Sequence, residues 1–274
     1  MTGAVASTQH AAREWREPMA RIGLVAKGIL YFILGLLAVQ FALGNSSGDD
    51  VSQSGAIERV AQESWGKFLL VALVVGLVCL TLWYVIEAFT GDPIEGSETS
   101  DKVKYAAKAL IYGLLAFVAI KVTVDAWNGG ATTDQASDTQ RSQEAAQTLF
   151  DLPGGTALVV AVGLLLIGVA IYQFLHYVVN TEHMQRLQSG QASGTLRTIG
   201  RVGYAARAIV VAIIGVFFLV AAAQHDAAQS KGMSGAVQTL ANEPWGRAVL
   251  WLIAIGFVLF GVFCLAEAKL RRAA

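Results

Sequence analysis

Two segments 180 residues apart carry nearly the same sequence: GAIERVAQESWG at residues 55–66 and GAVQTLANEPWG at residues 235–246. They align without a gap. Between them, EAAQTLF at residues 144–150 and the glycine pair at 154–155 form a degenerate third copy. Self-similarity of this kind indicates that one structural unit is used repeatedly. The fold therefore depends on this unit and on the helices that flank it.

The segment that precedes each loop repeats as well. YAAKA at residues 105–109 matches YAARA at residues 204–208, and LVAKG at residues 24–28 matches both more weakly. Each repeat is thus a helix, a loop and a second helix. We divide the chain into three hairpin repeats within one structural domain: residues 1–100, of which 1–21 are an N-terminal segment that we place in the cytoplasm, then 101–190 and 191–274.

The composition indicates a membrane protein. Of the 274 residues, 55% are hydrophobic and 15% are charged, whereas about a quarter of the residues in soluble domains are charged. The formal net charge is zero, which argues against a nucleic-acid partner. Both cysteines, Cys79 and Cys264, lie inside apolar runs, so we expect neither a disulfide framework nor a zinc site.

Six stretches are long and apolar enough to cross a bilayer. A hydrocarbon core about 30 Å thick requires roughly 20 residues of helix, and a helix is required because backbone groups cannot remain unpaired in lipid. We predict an all-α, six-span bundle. The predicted spans are residues 22–43, 67–90, 104–124, 156–180, 202–224 and 247–268.

The basic residues predict the orientation of the spans. One side of the membrane receives five of them: Arg59, Lys67, Arg141, Lys231 and Arg247. The other side receives fourteen: Arg13, Arg16, Arg21, Lys27, Lys102, Lys104, Lys108, Arg186, Arg197, Arg201, Arg207, Lys269, Arg271 and Arg272. The positive-inside rule then places both termini in the cytoplasm. Because every repeat enters from the same side, we expect pseudo-threefold symmetry along the membrane normal.

Each outer loop is predicted to contain a short amphipathic helix. Apolar residues share one face of it in the first and third copies: Ile57, Val60 and Ala61, and Val237, Leu240 and Ala241. This pattern suits a helix that lies on the membrane surface. A tryptophan follows the helix, Trp65 or Trp245, where an indole ring anchors at headgroup level.

The chain resembles a family of bacterial membrane proteins, domain-of-unknown-function family 1206. The motifs that carry the resemblance are the YAARA opening at Tyr204, the loop at residues 235–241 and the EPWGR turn at residues 243–247, each recurring along the chain. The resemblance implies a three-hairpin protein of the bacterial plasma membrane. It implies no activity and no functional residue. The middle copy departs most, since it has Gly154 at the position of the loop tryptophan.

Small residues recur every seven positions in the first span of each repeat. Helices in lipid associate through close van der Waals contact, which such a stripe permits. We therefore predict that the stripe is a helix-packing face. Its central members are Gly28, Gly35, Ala109, Ala116, Ala208 and Gly215.

Ionisable residues recur at two aligned positions near the inner end of the spans. The repeat alignment equates Lys27, Lys108 and Arg207 with one another, and Glu87, His176 and Glu267 with one another. In one interpretation, which we favour here, the cations snorkel to the headgroups and each glutamate pairs with a nearby cation. In the other, the six groups form a polar ring around the pseudo-threefold axis that holds an anionic headgroup or lines an inner vestibule.

The sequence contains no recognisable enzyme motif, and we expect no catalytic residue, metal site or cofactor. We favour a non-catalytic structural or accessory protein that packs with membrane lipids, including anionic headgroups of the inner leaflet, or with another membrane protein. The alternative is a pore or carrier for a small solute or ion. A carrier needs a polar path through the midplane, where the residues here are apolar.

Overall fold

A computed structural model describes residues 2–44, 51–63, 66–90, 99–128, 137–179 and 194–270, with side chains in the first and fourth of these ranges described from residues 18 and 102. These ranges are helical and contain no strand. We number the α-helices in chain order: α1 Thr2–Ala42, α2 Gln53–Gln62, α3 Gly66–Thr90, α4 Thr99–Trp127, α5 Asp138–Phe150, α6 Gly155–Gln173, α7 Gly194–Gln224, α8 Met233–Asn242 and α9 Gly246–Leu270. A π-helical segment, Phe174–Val179, continues α6, and a 3₁₀ turn, Ala227–Gln229, precedes α8.

The described part of the chain contains six helices that could cross a membrane by length and composition: Pro18–Ala42, Gly66–Thr90, Lys102–Trp127, Gly155–Val179, Gly194–Gln224 and Gly246–Leu270. They confirm the six predicted spans. Most of them extend a few residues beyond the predicted ends, and the predicted end of the fourth span, at residue 180, lies outside the description. The short helices α2, α5 and α8 each lie between two spans of one repeat. The protein is therefore an all-α, multi-pass bundle of three helical hairpins.

The spans form a ring in which the first span of each repeat packs against the second span of the preceding one. The pairs are α4 on α3, α7 on α6 and α1 on α9, so the last repeat returns to the first. Within a repeat, α1 packs on α3 and α7 packs on α9, whereas α4 and α6 barely touch. This order gives the predicted pseudo-threefold arrangement around the bundle axis, with one gap inside the second repeat.

Three glycines show how closely the repeats correspond. Each second span begins at a glycine, Gly66, Gly155 or Gly246, where a Cβ atom would collide with a backbone carbonyl oxygen six residues earlier. Those carbonyls belong to Val60, Leu149 and Leu240, respectively. The three loops therefore enter the second span through the same tight turn, although the middle loop has lost most of the repeated sequence.

The small-residue stripe lies where neighbouring repeats pack. A Cβ atom on Gly35 would lie 2.6 Å from the backbone nitrogen of Val258 in α9, and one on Gly215 would lie 2.8 Å from Cγ1 of Ile167 in α6. Val258 and Ile167 both stand twelve residues after the glycine that begins their span, so the two contacts have the same register. Of the other stripe residues, Gly28 packs on Leu265 and Gly261, and the alanines are buried: Ala109, Ala116 and Ala208.

The loop helices α2 and α8 pack on the spans at the end of the bundle where α1 ends and α9 begins. The side chains of Ile57 and Val237 are fully buried in the main hydrophobic core, and Val60 and Leu240 are buried beside them. The expectation that their apolar faces lie on the membrane surface is wrong, because the converging spans offer them a protein surface instead. Trp65 lies outside the described residues, and the Trp245 side chain is exposed.

Candidate functional site

The gap inside the second repeat has a cause in the sequence. In the first repeat, Gly23 of α1 contacts Leu80 of α3, with a virtual Cβ distance of 2.6 Å. Gly203 and Phe260 make the same contact in the third repeat, at 2.7 Å. The repeat alignment places Lys104 and Val169 at this position of the second repeat. A lysine side chain is too large for such an approach, so α4 and α6 stay apart.

A second crossing point supports this explanation. Gly76 of α3 lies directly on Ala26 of α1, and Gly256 of α9 lies in the same way on Ala206 of α7. The equivalent of these two glycines in α6 is Leu165, whose side chain is largely exposed. The second repeat has therefore lost both glycines that bring its sister helices together.

A cavity of about 250 Å³ occupies the bundle beside this gap, and every span contributes to its lining. It lies toward the end of the bundle at which α1 begins and α9 ends, which we call the terminal end. Its volume is slightly below the roughly 300–1,000 Å³ of pockets that hold drug-sized molecules. A cavity of this size suits a smaller ligand, such as a lipid headgroup.

Lysine 27 is buried in this cavity among aromatic rings. Its side chain is 6% exposed, and its Nζ lies 5.1 Å from the ring centre of Phe260 and 5.7 Å from that of Tyr112. Within the described residues this ammonium group makes no hydrogen bond and no ion pair. A cation over an aromatic face gains about 0.5–2 kcal/mol. Burial of the ammonium group without a stronger partner costs more than that.

The other basic side chains of the cavity also lie over tyrosine rings. Nζ of Lys108 lies 4.8 Å from the ring centre of Tyr105, and Cζ of Arg207 lies 5.9 Å from that of Tyr31. Nζ of Lys104 lies 4.9 Å from the ring centre of Tyr172. Among the described lining residues, four cations, Lys27, Lys104, Lys108 and Arg207, stand against one carboxylate, Glu267.

The structure brings together four of the six residues of the predicted ring. Lys27, Lys108, Arg207 and Glu267 line the cavity. Glu87 is also buried but is absent from the lining; its Oε1 accepts a hydrogen bond of 2.9 Å from the indole nitrogen of Trp83, which does line the cavity.

Histidine 176 lies beside the cavity rather than in its lining. Its ring is stacked on Tyr172, with 5.2 Å between ring centres, and meets the edge of Tyr177 at 4.8 Å. Both tyrosines line the cavity. Tyr177 stands in the π-helical continuation of α6 and is itself stacked on Tyr204 at 4.2 Å. The fourth and fifth spans are thus joined by aromatic stacking at the terminal end.

Two buried polar atoms in the lining lack a hydrogen-bond partner within the described residues: the hydroxyl oxygen of Tyr112 and Oε1 of Gln173. Their side chains are 3% and 9% exposed, respectively. An unsatisfied buried polar group costs about 1–3 kcal/mol, and most such groups have partners. The cavity therefore presents unused hydrogen-bonding capacity as well as positive charge.

Sequence reasoning missed the tyrosines, although their distribution is a usable signal. The protein has seven tyrosines, and six of them line this cavity: Tyr84, Tyr105, Tyr112, Tyr172, Tyr177 and Tyr204. All six fall in the terminal halves of their spans, at the depth of the aligned cations. Lys104 and Gln173 were also missed, because only the structure shows that the second repeat opens beside them.

Six apolar helices in the described chain, three repeated hairpins and a polar cavity define a multi-pass membrane protein. The chain belongs to the family described as Domain of Unknown Function (DUF1206), whose profile matches residues 22–91, 103–176 and 202–271. It is 26% identical over 258 residues to "Uncharacterized protein YxxB" of Bacillus subtilis (strain 168), with 93% of this chain and 91% of that protein covered. No solved structure matches the chain.

Proposed function

We propose that the protein is a non-catalytic accessory protein of the bacterial plasma membrane that binds the anionic headgroup of a lipid in this cavity. One observation carries the proposal. Two cations of the cavity lining, Lys27 and Arg207, have neither a hydrogen-bonding nor an ionic partner within the described residues. A phosphate group would supply the missing charge and acceptors, as in basic pockets between spans that bind lipid headgroups.

The apolar centre of the bundle favours ligand binding over transport of a solute. Leu34, Leu77 and Phe257 are fully buried and belong to one continuous hydrophobic core. On the far side of this core, α2 and α8 pack across the outer end of the spans. A pore or carrier would need a polar path through both layers, so these features support a binding site at one end rather than transport.

Removing the cavity cations tests the proposed function. We expect Lys27→Met and Arg207→Met each to lower the anionic lipid that co-purifies in mild detergent by about tenfold, because charged hydrogen bonds contribute about 1.5–3 kcal/mol. Mass spectrometry of the extracted lipid measures the effect. Arg197→Met is the matched control, since Arg197 is an exposed cation on the same helix as Arg207. Equal lipid in all variants would show that the cavity does not hold it.

We also propose that both termini face the cytoplasm, since fourteen basic residues lie on that side and five on the other. Single cysteines test the orientation, because Cys79 and Cys264 stand within spans. We expect a membrane-impermeant maleimide to label Ala228→Cys, in the loop before α8, in intact cells. Arg197→Cys should react only after the cells are opened. The reverse labelling pattern would show that the termini face the outside.

A further inference from the structure

The gap between α4 and α6 makes the cavity accessible from the side. Four residues that line the cavity are also exposed on the outer surface of the bundle: Ala107, Ile111 at 54%, Val169 at 38% and Tyr172 at 39%. We call the opening bounded by Lys104, Ala107, Ile111, Val169 and Tyr172 the window. Because α4 and α6 are membrane spans, the window faces lipid rather than water.

The walls of the window change from polar to apolar along the bundle axis. Lys104 lies on the terminal side, with its Nζ 4.9 Å from the ring centre of Tyr172. Ile111 stands seven residues further along α4, about 10 Å at 1.5 Å per residue, and there the wall is aliphatic. An amphipathic molecule fits this order: its charged headgroup enters the cavity while its chains stay in the bilayer. The cavity volume holds a headgroup but not two acyl chains.

The unpartnered polar atoms of the cavity indicate which hydrogen-bonding groups a bound headgroup should carry. The Tyr112 hydroxyl can donate to a phosphate oxygen, as the cations can. Oε1 of Gln173 can only accept a hydrogen bond, so a phosphate diester without hydroxyl groups cannot satisfy it. A hydroxyl group on the ligand would satisfy it without the added positive charge that an ammonium donor would bring beside the cations of the cavity.

We infer that the cavity takes phospholipids whose anionic headgroup also carries a hydroxyl group, and that these lipids enter from the surrounding leaflet through the window. The inference rests on the proposed function. It adds the route, the lipid source and a selectivity that headgroup charge alone does not give.

The class of ligand can be tested with two lipids of equal charge. Phosphatidylglycerol and phosphatidylethanol are both anionic diesters, but only the first has headgroup hydroxyl groups. We expect native mass spectrometry of the full chain to show tighter binding of phosphatidylglycerol, and Gln173→Leu to weaken it by about fivefold while phosphatidylethanol binding is unchanged. Equal affinities in the wild type, or equal losses in the variant, would overturn the hydroxyl selectivity. Equally tight phosphatidylcholine would overturn the proposed function itself.

Tryptophan substitutions at neighbouring positions test the route. Ile111→Trp fills the window, whereas Leu110→Trp changes a lipid-facing residue of the same helix that does not line the cavity. In nanodiscs, we expect Ile111→Trp to slow capture of isotope-labelled phosphatidylglycerol at least tenfold and Leu110→Trp to leave it unchanged. Leu165→Gly restores the glycine of the other repeats at the second crossing point and should slow capture by letting α6 approach α4, with every cavity cation left in place. Unchanged capture in both Ile111→Trp and Leu165→Gly would refute lateral entry and leave the proposed binding site standing.

A deacylated headgroup separates the membrane source from a water-soluble one. We expect glycerophosphoglycerol to bind at least tenfold more weakly than phosphatidylglycerol, because it lacks the chains that occupy the window. Equal affinity would show that the natural ligand is a soluble anion.

Discussion

Gly246→Ala should prevent the protein from accumulating in a folded form. The new methyl group would collide with the carbonyl oxygen of Leu240, and backbone atoms on both sides of a tight turn cannot move apart as side chains can. We expect a loss of at least about 3 kcal/mol, the upper end for overpacked sites. The yield of monodisperse protein after detergent extraction and its thermal unfolding measure the effect.

The same substitution at a different glycine provides the control. Gly168 lies inside the span formed by α6 and has no heavy atom within 4 Å of its virtual Cβ, so Gly168→Ala should be tolerated. Gly66→Ala should resemble Gly246→Ala, since both glycines occupy the same turn of their repeats. If Gly66→Ala and Gly246→Ala both fold with normal yield, the shared turn is not a structural requirement.

The second large effect is expected at the contact between repeats. Gly35→Leu places a branched side chain where a Cβ atom alone would lie 2.6 Å from the backbone nitrogen of Val258. Because α1 against α9 closes the ring between the first and last repeats, we expect expression or folding to fail. Gly215→Leu should act similarly at the contact between α7 and α6. Expression level and size-exclusion profile are the measurements.

Leucine 36 is the control for the stripe, because it is adjacent to Gly35 but faces outward, with 44% of its side chain exposed. Leu36→Ile should express normally. Normal yields of both glycine variants would contradict the assignment of this face to helix packing.

The spans and repeats could be predicted because they depend on local properties of the sequence. Lipid requires long apolar helices, and the offset of 180 residues between the first and third repeats appears unchanged in their glycine contacts, Gly23 on Leu80 and Gly203 on Phe260. A repeat alignment, however, assigns equivalent positions and does not show which contacts fail. The opening at Lys104 therefore could not be predicted, because it depends on how the spans are placed around the axis.

The burial of individual side chains was harder to predict for a similar reason. The apolar face of the helix that carries Ile57 could cover either lipid or protein, and the converging spans bury it against protein. Glu87 and Glu267 are equivalent in the alignment. Glu87, however, accepts a hydrogen bond from the indole of Trp83, whereas Glu267 lines the cavity. The position of a cation or carboxylate along a span was predictable, whereas its direction depended on neighbours from other repeats.

A cryo-electron microscopy map of the full chain in nanodiscs containing phosphatidylglycerol would show whether the cavity at the terminal end holds an anionic lipid headgroup. We expect headgroup density in contact with Lys27, Lys108 and Arg207, with chain density leaving between α4 and α6. A cavity that contains only solvent, with ordered lipid confined to the outer surface of the bundle, would contradict this expectation.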